Sequence, residues 1–364
     1  SPLPTPPPSL SKICAKHKRT LKILLSLNVT KATGNDQIPA VLLRNLAYEL
    51  YKPLSHIFQL SLTHGHFPSN WKLADVVAIY KKKSKSDPGN YRPISLLACV
   101  SKIFETIVAS PFCSYLAPLL NQKQFGFRSA HTSLDMTADM TQRWAETLKL
   151  GGEVRAVFLD ISKAFDRVDH ASIIYKLEQK GVCGSILAWF RSYLSGRRHR
   201  VVVGNSMSKY MNVCAGVPQG SVLGPVLFLV FFDSLFDVVE NNLSVFADDS
   251  TLWAPIPKVA DRDTVAASLN RDLVQIRAWA NAWLVTHNHT KTELLTISRK
   301  ADLHLFRKNG KKKGLYLTSP NTNPHPDLLF HDTIIPESAA VKVVGLTISN
   351  TLSWGPHIAR ISRN

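Results

Sequence analysis

The sequence has few of the features that mark secreted, membrane or repeat proteins. Its five cysteines lie far apart, in no Cys-x-x-Cys pair, so we expect neither a disulfide framework nor a zinc ribbon, and a reducing, intracellular setting is favoured. The longest apolar run, 222–232, contains Gly224 and Pro225 and is too short for a membrane-spanning helix. No repeat of fixed period is present, which excludes repeat architectures. The chain begins with Ser1 and no signal pattern, which suggests a piece of a longer polyprotein.

Acidic residues are also scarce. The 364 residues include 26 Asp and Glu against 44 Lys and Arg, a formal net charge of +18, and 45% of the residues are hydrophobic. That apolar content predicts a packed, globular chain, and the positive field favours polyanions, with nucleic acid first among them. The basic residues are clustered in three runs, at 81–85, 197–200 and 307–313, of which we expect the last to be a solvated loop.

The acids that are present include a distinctive set of three. Asp160 follows the apolar run 157–159, and the pair Asp248-Asp249 follows the run 245–247. Strands over these runs would push the carboxylates into one cleft, where hard oxygen ligands select Mg²⁺ or Mn²⁺. Two such ions about 3.5–4 Å apart serve phosphoryl transfer in polymerases and nucleases. The alternative is that each acid merely ends a strand or occupies a turn, and a lone Asp-Asp pair favours it.

Hydrophobic periodicity predicts a succession of short strands and amphipathic helices. The predicted strands are 75–80, 154–159, 293–297 and 341–348, with a β-hairpin over 243–253 that has the Asp pair near its turn. The predicted helices are 96–108, 131–148, 171–179 and 265–283, and a helix with a basic hairpin spans 186–210.

Three loops carry residues suited to ligands, each with an ordinary alternative. Phe125 and Phe127 lie in a mixed aromatic and basic loop, where they either stack on unpaired bases or are buried anchors. The Gly/Pro-rich turn 216–221 presents the amide of Gln219, although a plain entry into a helix has the same pattern. The stretch 287–289, His-Asn-His, indicates a polar loop rather than a metal-dependent nuclease.

Taken in chain order, these motifs resemble the reverse transcriptases of non-LTR retrotransposons, the LINE-like elements with jockey and CR1 relatives. The resemblance covers residues 30–350, and its joint specificity is far higher than that of any single motif. The matching stretches are 90–96 (fingers motif), 158–165 (motif A), 216–225 (motif B), 246–249 (motif C), 291–292 (motif D) and 344–346 (motif E).

The resemblance implies an α+β, right-hand polymerase fold with fingers and palm, an antiparallel palm sheet packed on helices, and a thumb that is largely missing. The implied organisation is a Pro-rich disordered tail (1–17), a helical N-terminal extension (18–70), fingers with a palm helix (71–150), the palm with motifs A to E (151–350) and the start of a truncated thumb (351–364).

The resemblance also assigns the catalytic centre. Asp160 and Asp248 would hold two Mg²⁺ ions, with Mn²⁺ as the alternative metal, and Asp249 would complete the site. Lys291 would protonate or neutralise the pyrophosphate leaving group, although the lead-in 287–289 departs from the more usual apolar-Asn-Pro.

The residues implied in substrate binding surround this centre in the sequence. Main-chain amides would lie under the triphosphate, Lys81 or Lys82 with Arg92 would clamp its phosphates, Phe165 would exclude a ribose 2′-OH, and Gln219 with Gly220 would touch the incoming nucleotide and the template base. The amides are those of Ile161, Ser162, Lys163 and Ala164.

The implied function is RNA-directed DNA polymerisation, with an RNA template, a DNA primer and dNTPs as partners, no membrane, and action in the nucleus. One alternative is an inactive polymerase relic that acts as a nucleic-acid-binding module, since a basic surface survives loss of chemistry. A second is another member of the same polymerase group, such as an intron maturase. The intact set of predicted catalytic and substrate residues argues against decay.

Overall fold

The computed structural model describes residues 8–81, 84–161, 164–288, 291–298 and 325–362. Lys82, Ser162 and Lys163, and the basic run 307–313, lie outside the described residues, and so does the side chain of Ala164. The chain forms two compact units, each assembled from three segments of sequence. Unit 1 takes its residues from 1–121, 163–234 and 283–285, and unit 2 takes its residues from 122–162, 235–282 and 286–364.

Helices occur in both units. The α-helices are α1 (His17–Leu25), α2 (Ala40–Asn45), α3 (Ala47–His64), α4 (Cys99–Leu116), α5 (Ser133–Lys149), α6 (Ala164–Arg167), α7 (His170–Gln179), α8 (Gly184–Leu194), α9 (Leu223–Phe232), α10 (Arg262–Ala282) and α11 (Gly355–Ile361). Short 3₁₀ helices span Ser69–Lys72, Pro88–Asn90, Asp233–Val238 and Val259–Asp261.

Strands alternate with these helices. They are β1 (Leu73–Tyr80), β2 (Tyr91–Leu96), β3 (Glu153–Leu159), β4 (Arg198–Val203), β5 (Ser206–Met207), β6 (Met211–Asn212), β7 (Asn242–Phe246), β8 (Asp249–Ile256), β9 (Glu293–Ile297), β10 (Leu329–Phe330), β11 (Thr333–Ile334), β12 (Ala340–Val343) and β13 (Leu346–Ser349). With the helices they make the protein a mixed α+β structure.

Unit 1 combines a mixed sheet with a helical core. Its strand order is β2-β1-β4-β5, with β6 also paired to β4; β1 is antiparallel to β2 and parallel to β4. Aromatic side chains from α3, α4 and α8 and from the loop after α3 form the centre of the core, and each contributes a large apolar area to the burial that stabilises the unit. The fully buried members include Phe58, Phe67, Phe104, Trp189 and Tyr193.

Unit 2 is built on a four-stranded antiparallel sheet of order β7-β8-β3-β9. Every residue of β3 is buried, which fits a central strand covered on its faces. Helix α5 packs on the sheet through Met136, Met140 and Trp144, all fully buried. A capping box fixes the start of this helix, because Thr132 Oγ1 accepts the N–H of Asp135 while the Asp135 carboxylate accepts the N–H of Thr132.

Most predicted elements are confirmed with small shifts at their ends. The strand 293–297 is β9 and the predicted Asp-bearing hairpin is β7–β8. The helix predicted from Leu96 begins instead at Cys99, because Leu96 pairs with Asp75 in the register of β1 and β2.

The single strand predicted over 341–348 is wrong. The stretch forms two antiparallel strands, β12 and β13, joined by a turn at Val344 and Gly345. Both turn residues have positive φ, +39° and +97°, as a tight hairpin turn requires. Valine rarely adopts this conformation, so the apolar run hides the turn from a propensity-based prediction.

The N-terminal stretch assigned to a tail makes contacts from Pro8 onward, where the Pro8 carbonyl accepts the Tyr115 hydroxyl at 2.7 Å. Leu10 donates its N–H to the carbonyl of Gly181 (3.0 Å) and accepts the N–H of Cys183 (3.0 Å). Ile13 and Ala15 are buried. Apolar burial and backbone hydrogen bonds therefore hold these residues within unit 1, although prolines precede them in the sequence.

A buried ion pair in unit 2 gives a stability prediction. The Arg262 guanidinium donates two hydrogen bonds to the Glu153 carboxylate, at 2.7 and 3.0 Å, and their side chains are only 2% and 3% exposed. Glu153→Gln leaves a buried guanidinium without its counter-charge, so we expect the free energy of unfolding to fall by about 3–5 kcal/mol. Chemical denaturation measures it.

An exposed pair is the matched control. Glu240 and Arg271 are 75% and 63% exposed and 3.7 Å apart. Such a pair contributes about 0–1 kcal/mol, so Glu240→Gln should leave the unfolding midpoint nearly unchanged. Equal losses in the two variants would contradict the role of burial.

The same carboxylate gives the chain a pH dependence. Burial by itself raises the pKa of Glu153, but hydrogen bonds and charge from His325 and Arg262 outweigh it and lower the pKa from 4.5 to about 2. Since the folded pKa is the lower one, the group stabilises the fold above about pH 4.5 and loses this contribution as the pH falls toward 2. We expect Glu153→Gln to reduce the acid sensitivity of unfolding in that window.

Within the described part of the chain, no helix combines the length and apolar character needed to cross a bilayer.

Candidate active site

The Asp248-Asp249 pair lies at the tip of the β7–β8 hairpin. Phe246 pairs with Asp249, so Ala247 and Asp248 form a two-residue turn. Ala247 is buried and has φ = +60°, a conformation that costs a side-chain-bearing residue energy and therefore needs support from its surroundings. Asp248 is half-buried and Asp249 is exposed.

Strand β3 brings Asp160 to the same end of the sheet. Leu159 at the end of β3 pairs with Ser250 at the start of β8, in antiparallel register. Asp160 therefore leaves the sheet beside the residues that begin β8. The two acidic stretches, 88 positions apart in the sequence, therefore lie at the same end of the sheet within unit 2.

The three carboxylates interact electrostatically. Although Asp249 is exposed, partial desolvation of its carboxyl by the surrounding protein raises its pKa from 3.8 to about 6, and the negative charges of Asp248 and Asp160 act in the same direction. A group of acids that repel one another in this way is stabilised by a cation. The cluster thus has the charge and the oxygen donors of a divalent-cation site.

Lys291 supplies one positive charge to this cluster. Its ammonium group donates to Asp160 Oδ2 at 3.0 Å, with the two side chains 62% and 36% exposed. The loop that carries Lys291 is tied to β3, because Asn288 donates its N–H to the carbonyl of Asp160 (2.8 Å) and His287 bridges to Ile161. At this exposure the pair adds only about 0–1 kcal/mol, so it is easily exchanged for another cation.

The side chains are not already arranged as a closed metal site. Among the described residues, no three Asp, Glu, His or Cys side chains converge to hold one ion. The strand register nevertheless brings the three acids to the same end of the sheet, and partly exposed carboxylates change rotamer in ps to ns. The residues fit hard divalent cations by donor type and charge, with side-chain rotation and release of Lys291 completing the arrangement.

In unit 1, the turn with Gln219 and Gly220 is fixed against β2. Ser95 donates its N–H to the Gln219 carbonyl at 2.7 Å, and the Gln219 amide donates to Asp166 Oδ1 at 2.8 Å. Gly220 has φ = +122°, and a Cβ there would lie 2.6 Å from the Ser95 carbonyl oxygen. The glycine is therefore required by both conformation and space. Sequence reasoning missed Asp166, which lies one residue past the motif A stretch 158–165 and gave no other signal.

Glu105 supports the chain just after the same turn, and the sequence analysis did not identify this residue either. It is fully buried, which raises its pKa, and its Oε2 accepts the N–H groups of Val222 (2.8 Å) and Leu223 (3.1 Å). These are the orphan donors at the start of α9. The only sequence signal for this cap was an acidic residue within a mostly apolar helix.

Phe165 lies in α6 with its ring stacked on Phe228. The ring centroids are 4.4 Å apart with an angle of 22° between the planes, and Phe228 is 1% exposed. The main chain is held as well, because Val217 donates its N–H to the Phe165 carbonyl at 2.8 Å. A half-buried ring with a rigid backing can act as a wall for a ligand.

The remaining predicted substrate residues lie on both units. Lys81 and Arg92 are exposed on the β1–β2 hairpin of unit 1, where Lys81 donates its N–H to the Asn90 carbonyl (2.9 Å) and Arg92 pairs with Ile79. Ala164 begins α6 in unit 1, whereas Ile161 is buried in unit 2.

Unit 1 also contains a pocket of about 200 Å³ beside this turn. Its lining includes Gln219, Asp166 and Pro93, together with the basic residues Lys72 and Arg197. The pocket is therefore mixed in character, with amide, carboxylate and cationic groups available to a polar ligand.

The two phenylalanines of the aromatic loop in unit 2, Phe125 and Phe127, have different environments. Phe125 is buried in the core with Trp144, so the anchor alternative is confirmed for it. Phe127 is 51% exposed and has φ = +52°. An exposed ring of this kind keeps the stacking role open as a prediction.

Comparison with known proteins identifies the family to which the chain that carries these residues belongs. Residues 80–348 match the model of the family described as reverse transcriptase (RNA-dependent DNA polymerase). The matched range contains both acidic motifs, Arg92 and the turn with Gln219.

The sequence is similar to those of curated relatives over nearly the whole chain. The probable RNA-directed DNA polymerase from transposon BS of Drosophila melanogaster is 30% identical over 94% of this chain and 36% of its own length. The RNA-directed DNA polymerase from mobile element jockey of the same species is 28% identical over 94% and 36%. A Pol polyprotein from the type-1 retrotransposable element R1 of Bradysia coprophila is 25% identical over 90% and 31%. The chain thus spans about a third of the length of these relatives.

Proposed function

Because the chain belongs to the reverse transcriptase (RNA-dependent DNA polymerase) family, we propose that it is the polymerase part of a non-LTR retrotransposon protein and extends a DNA primer along an RNA template. The observation that carries the proposal is the meeting of Asp160 with Asp248 and Asp249 at one end of the unit 2 sheet, with mutual repulsion between them. Such a cluster is suited to cations that take part in phosphoryl transfer.

Asp160, Asp248 and Asp249 are the residues that would hold two Mg²⁺ ions in this proposal. When bound, the ions supply charge neutralisation at the triphosphate and a lower pKa at the primer 3′-OH. The chain itself supplies a rigid antiparallel sheet that fixes the backbone positions from which the three side chains extend. Lys291 provides a mobile positive charge, which is released from Asp160 and becomes available to the pyrophosphate leaving group.

The nucleotide-binding roles are assigned to residues of unit 1. Lys81 and Arg92 are exposed cations suited to phosphate, and the fork of Arg92 allows bidentate contact. Gln219 and Gly220 contact the base pair being formed, and Phe165 closes the sugar pocket against a 2′-OH. The fixed main chain of the Gln219 turn and the stacked ring of Phe228 support these roles.

The fold is assigned in the same terms. The sheet β7-β8-β3-β9 corresponds to the palm sheet of a right-hand polymerase, and the β1–β2 hairpin corresponds to part of the fingers. Helix α11 corresponds to the start of the thumb.

Primer extension tests the function directly. The protein is incubated with a labelled DNA primer annealed to RNA, with dNTPs and Mg²⁺, and the product length is measured. We expect extension that stops when any dNTP needed by the template is left out and when EDTA removes the metal. Tight binding of the primer-template without extension would instead support the nucleic-acid-binding module, which the net charge of +18 favours as the second candidate.

A further inference from the structure

The edge of the unit 2 sheet beside β7 is covered by the segment 123–126. Val245 donates its N–H to the Lys123 carbonyl at 2.9 Å, and Phe125 donates its N–H to the Val245 carbonyl at 2.8 Å. Gln124 and Val245 form a parallel bridge. The segment thus acts as a short additional strand next to the hairpin that carries two of the catalytic acids.

Gln124 places its side-chain amide against the turn of that hairpin. The residue is fully buried. Its Oε1 accepts the N–H of Ala247 at 3.1 Å and that of Gly126 at 2.9 Å, and its Nε2 donates to the Ala247 carbonyl at 3.4 Å. One primary amide therefore partners both backbone groups of Ala247, the residue that precedes Asp248.

The hydrogen bonds from Gln124 offset the energetic cost of the Ala247 backbone conformation. Ala247 has φ = +60° in a buried turn, where its N–H and C=O have no water to bond to. A primary amide can accept from the N–H and donate to the carbonyl at the same time, which a purely apolar side chain of similar size cannot. The bonds to Gln124 thus hold the turn in the conformation that determines where Asp248 and Asp249 originate.

Gly126 makes the close approach possible. A Cβ at this position would lie 2.3 Å from the Ala247 nitrogen and 3.0 Å from its Cα. Any larger residue would push the turn away from the segment. The glycine and the amide therefore act on the same residue from neighbouring positions.

The segment is anchored to the rigid part of unit 2. Lys123 forms an ion pair with Asp139 of α5 at 2.8 Å, and Phe125 is buried in the core with Met136. The Arg128 guanidinium donates to the Gln124 carbonyl at 3.3 Å. The amide is thus presented by a fixed backbone, as a positioning residue requires.

We propose that Gln124, with Gly126 beside it, is a positioning residue that holds the Ala247 turn so that Asp248 and Asp249 bind divalent cations. The inference rests on the proposed function, because it assumes that these acids are metal ligands. Residues that orient metal ligands through hydrogen bonds typically change metal affinity by about 10- to 100-fold when they are removed. The geometry at Ala247 is independent of that assumption and is measured separately.

The test compares four substitutions in the full chain. Gln124→Met keeps the volume and removes the hydrogen bonds, Gln124→Glu keeps the two acceptor bonds, and Gly126→Ala displaces the turn while Gln124 stays intact. Gln122→Met is the matched control, since Gln122 is an exposed amide two residues away. Hydrogen–deuterium exchange of the peptide 245–249 measures the turn, and Mn²⁺ affinity by electron paramagnetic resonance measures the cation site.

We expect Gln124→Met and Gly126→Ala to speed exchange in this peptide and to weaken Mn²⁺ binding by about 10- to 100-fold, with cooperative unfolding retained. Gln124→Glu should recover most of the affinity, and Gln122→Met should match the unaltered protein in both measurements. Slow exchange of the peptide 245–249 in the glutamate variant separates positioning from general loss of packing, because the added negative charge by itself raises Mn²⁺ affinity but does not slow exchange. If Gln124→Met does not fold, Gly126→Ala and Gln124→Glu decide the question.

Two negative results have different meanings. Unchanged Mn²⁺ affinity and exchange in both Gln124→Met and Gly126→Ala would overturn the positioning role. If Asp248→Ala leaves Mn²⁺ binding unaltered, the proposed metal site fails, while the exchange data still report whether Gln124 holds the turn. If Asp248→Ala abolishes binding and the Gln124 variants do not weaken it, the metal site stands and the positioning role is rejected.

Discussion

Asp248→Ala is expected to reduce RNA-templated primer extension by at least about 100-fold, the size of effect seen when one group that stabilises transition-state charge is removed. The reason is the position of Asp248 in the β7–β8 turn beside Asp249, in a cluster that also includes Asp160. Removing one of three carboxylates lowers the negative charge that attracts divalent cations and would remove a proposed metal ligand. The rate of single-nucleotide addition at saturating dNTP measures the effect.

The fold should be unaffected by this substitution. Asp248 is half-buried in a turn, and its loss relieves repulsion with Asp249, so we expect an unfolding midpoint that is unchanged or slightly higher. Asp248→Asn tests the charge at nearly constant shape and should be similarly impaired. Asp263→Ala, which removes an exposed acid elsewhere in unit 2, is the control and should extend primers normally. Equal extension by Asp248→Ala and Asp263→Ala would reject the assigned site.

Phe165→Ala is expected to raise the acceptance of ribonucleotides relative to deoxyribonucleotides by about 10- to 100-fold. In the proposed role, a 2′-OH collides with the ring, and overpacking of this size costs about 1–3 kcal/mol. The ring cannot easily yield, because Phe228 stacks on it at 4.4 Å and is itself almost completely buried. The ratio of kcat/KM for dCTP to that for CTP on the same primer-template gives the selectivity.

Two further variants define the role of the ring. Phe165→Tyr retains the ring and should retain discrimination. Phe228→Leu removes the stacked backing, so we expect a selectivity between those of the unaltered protein and Phe165→Ala. A constant ratio across Phe165→Ala and Phe165→Tyr would remove Phe165 from sugar discrimination and leave it as a packing residue of α6.

The pairing of Lys291 with Asp160 bears on the first prediction. The resemblance assigns Lys291 to the leaving group, whereas the described contact is an ion pair at 3.0 Å with Asp160, a proposed metal ligand. The two roles are compatible because a partly exposed pair of this kind is held by little energy. Exchange of the ammonium for a divalent cation at Asp160 would free Lys291 for the triphosphate.

Local patterns predicted much of the candidate site. The Asp-bearing hairpin follows from the apolar run before Asp248 and the β-prone residues after Asp249, and β9 was predicted with its observed ends. These predictions succeed because strand propensity and turn formation depend mainly on neighbours in sequence. The same reasoning failed at Val344 and Gly345, where a valine adopts positive φ inside a stretch rich in β-prone residues.

Contacts between distant segments were beyond local patterns. Gln124 bonds to Ala247 across 123 positions, and Glu105 caps α9 across 117 or more. Each is a common polar residue whose neighbours in sequence give no hint of its partner. Phe125 and Phe127 likewise have the same residue type two positions apart, yet one is buried and the other exposed.

The sequence by itself determined the residue types and the family of this protein: the acidic oxygen donors, the excess of basic residues and the short elements that carry the acids. Only the tertiary structure decided that Leu159 lies opposite Ser250, that Lys291 meets Asp160 and that Gln124 reaches the Ala247 turn. The physical reason is that residue types and local propensities are properties of short segments. Register and buried hydrogen bonds, in contrast, are set when the whole core packs and every buried polar group must find a partner.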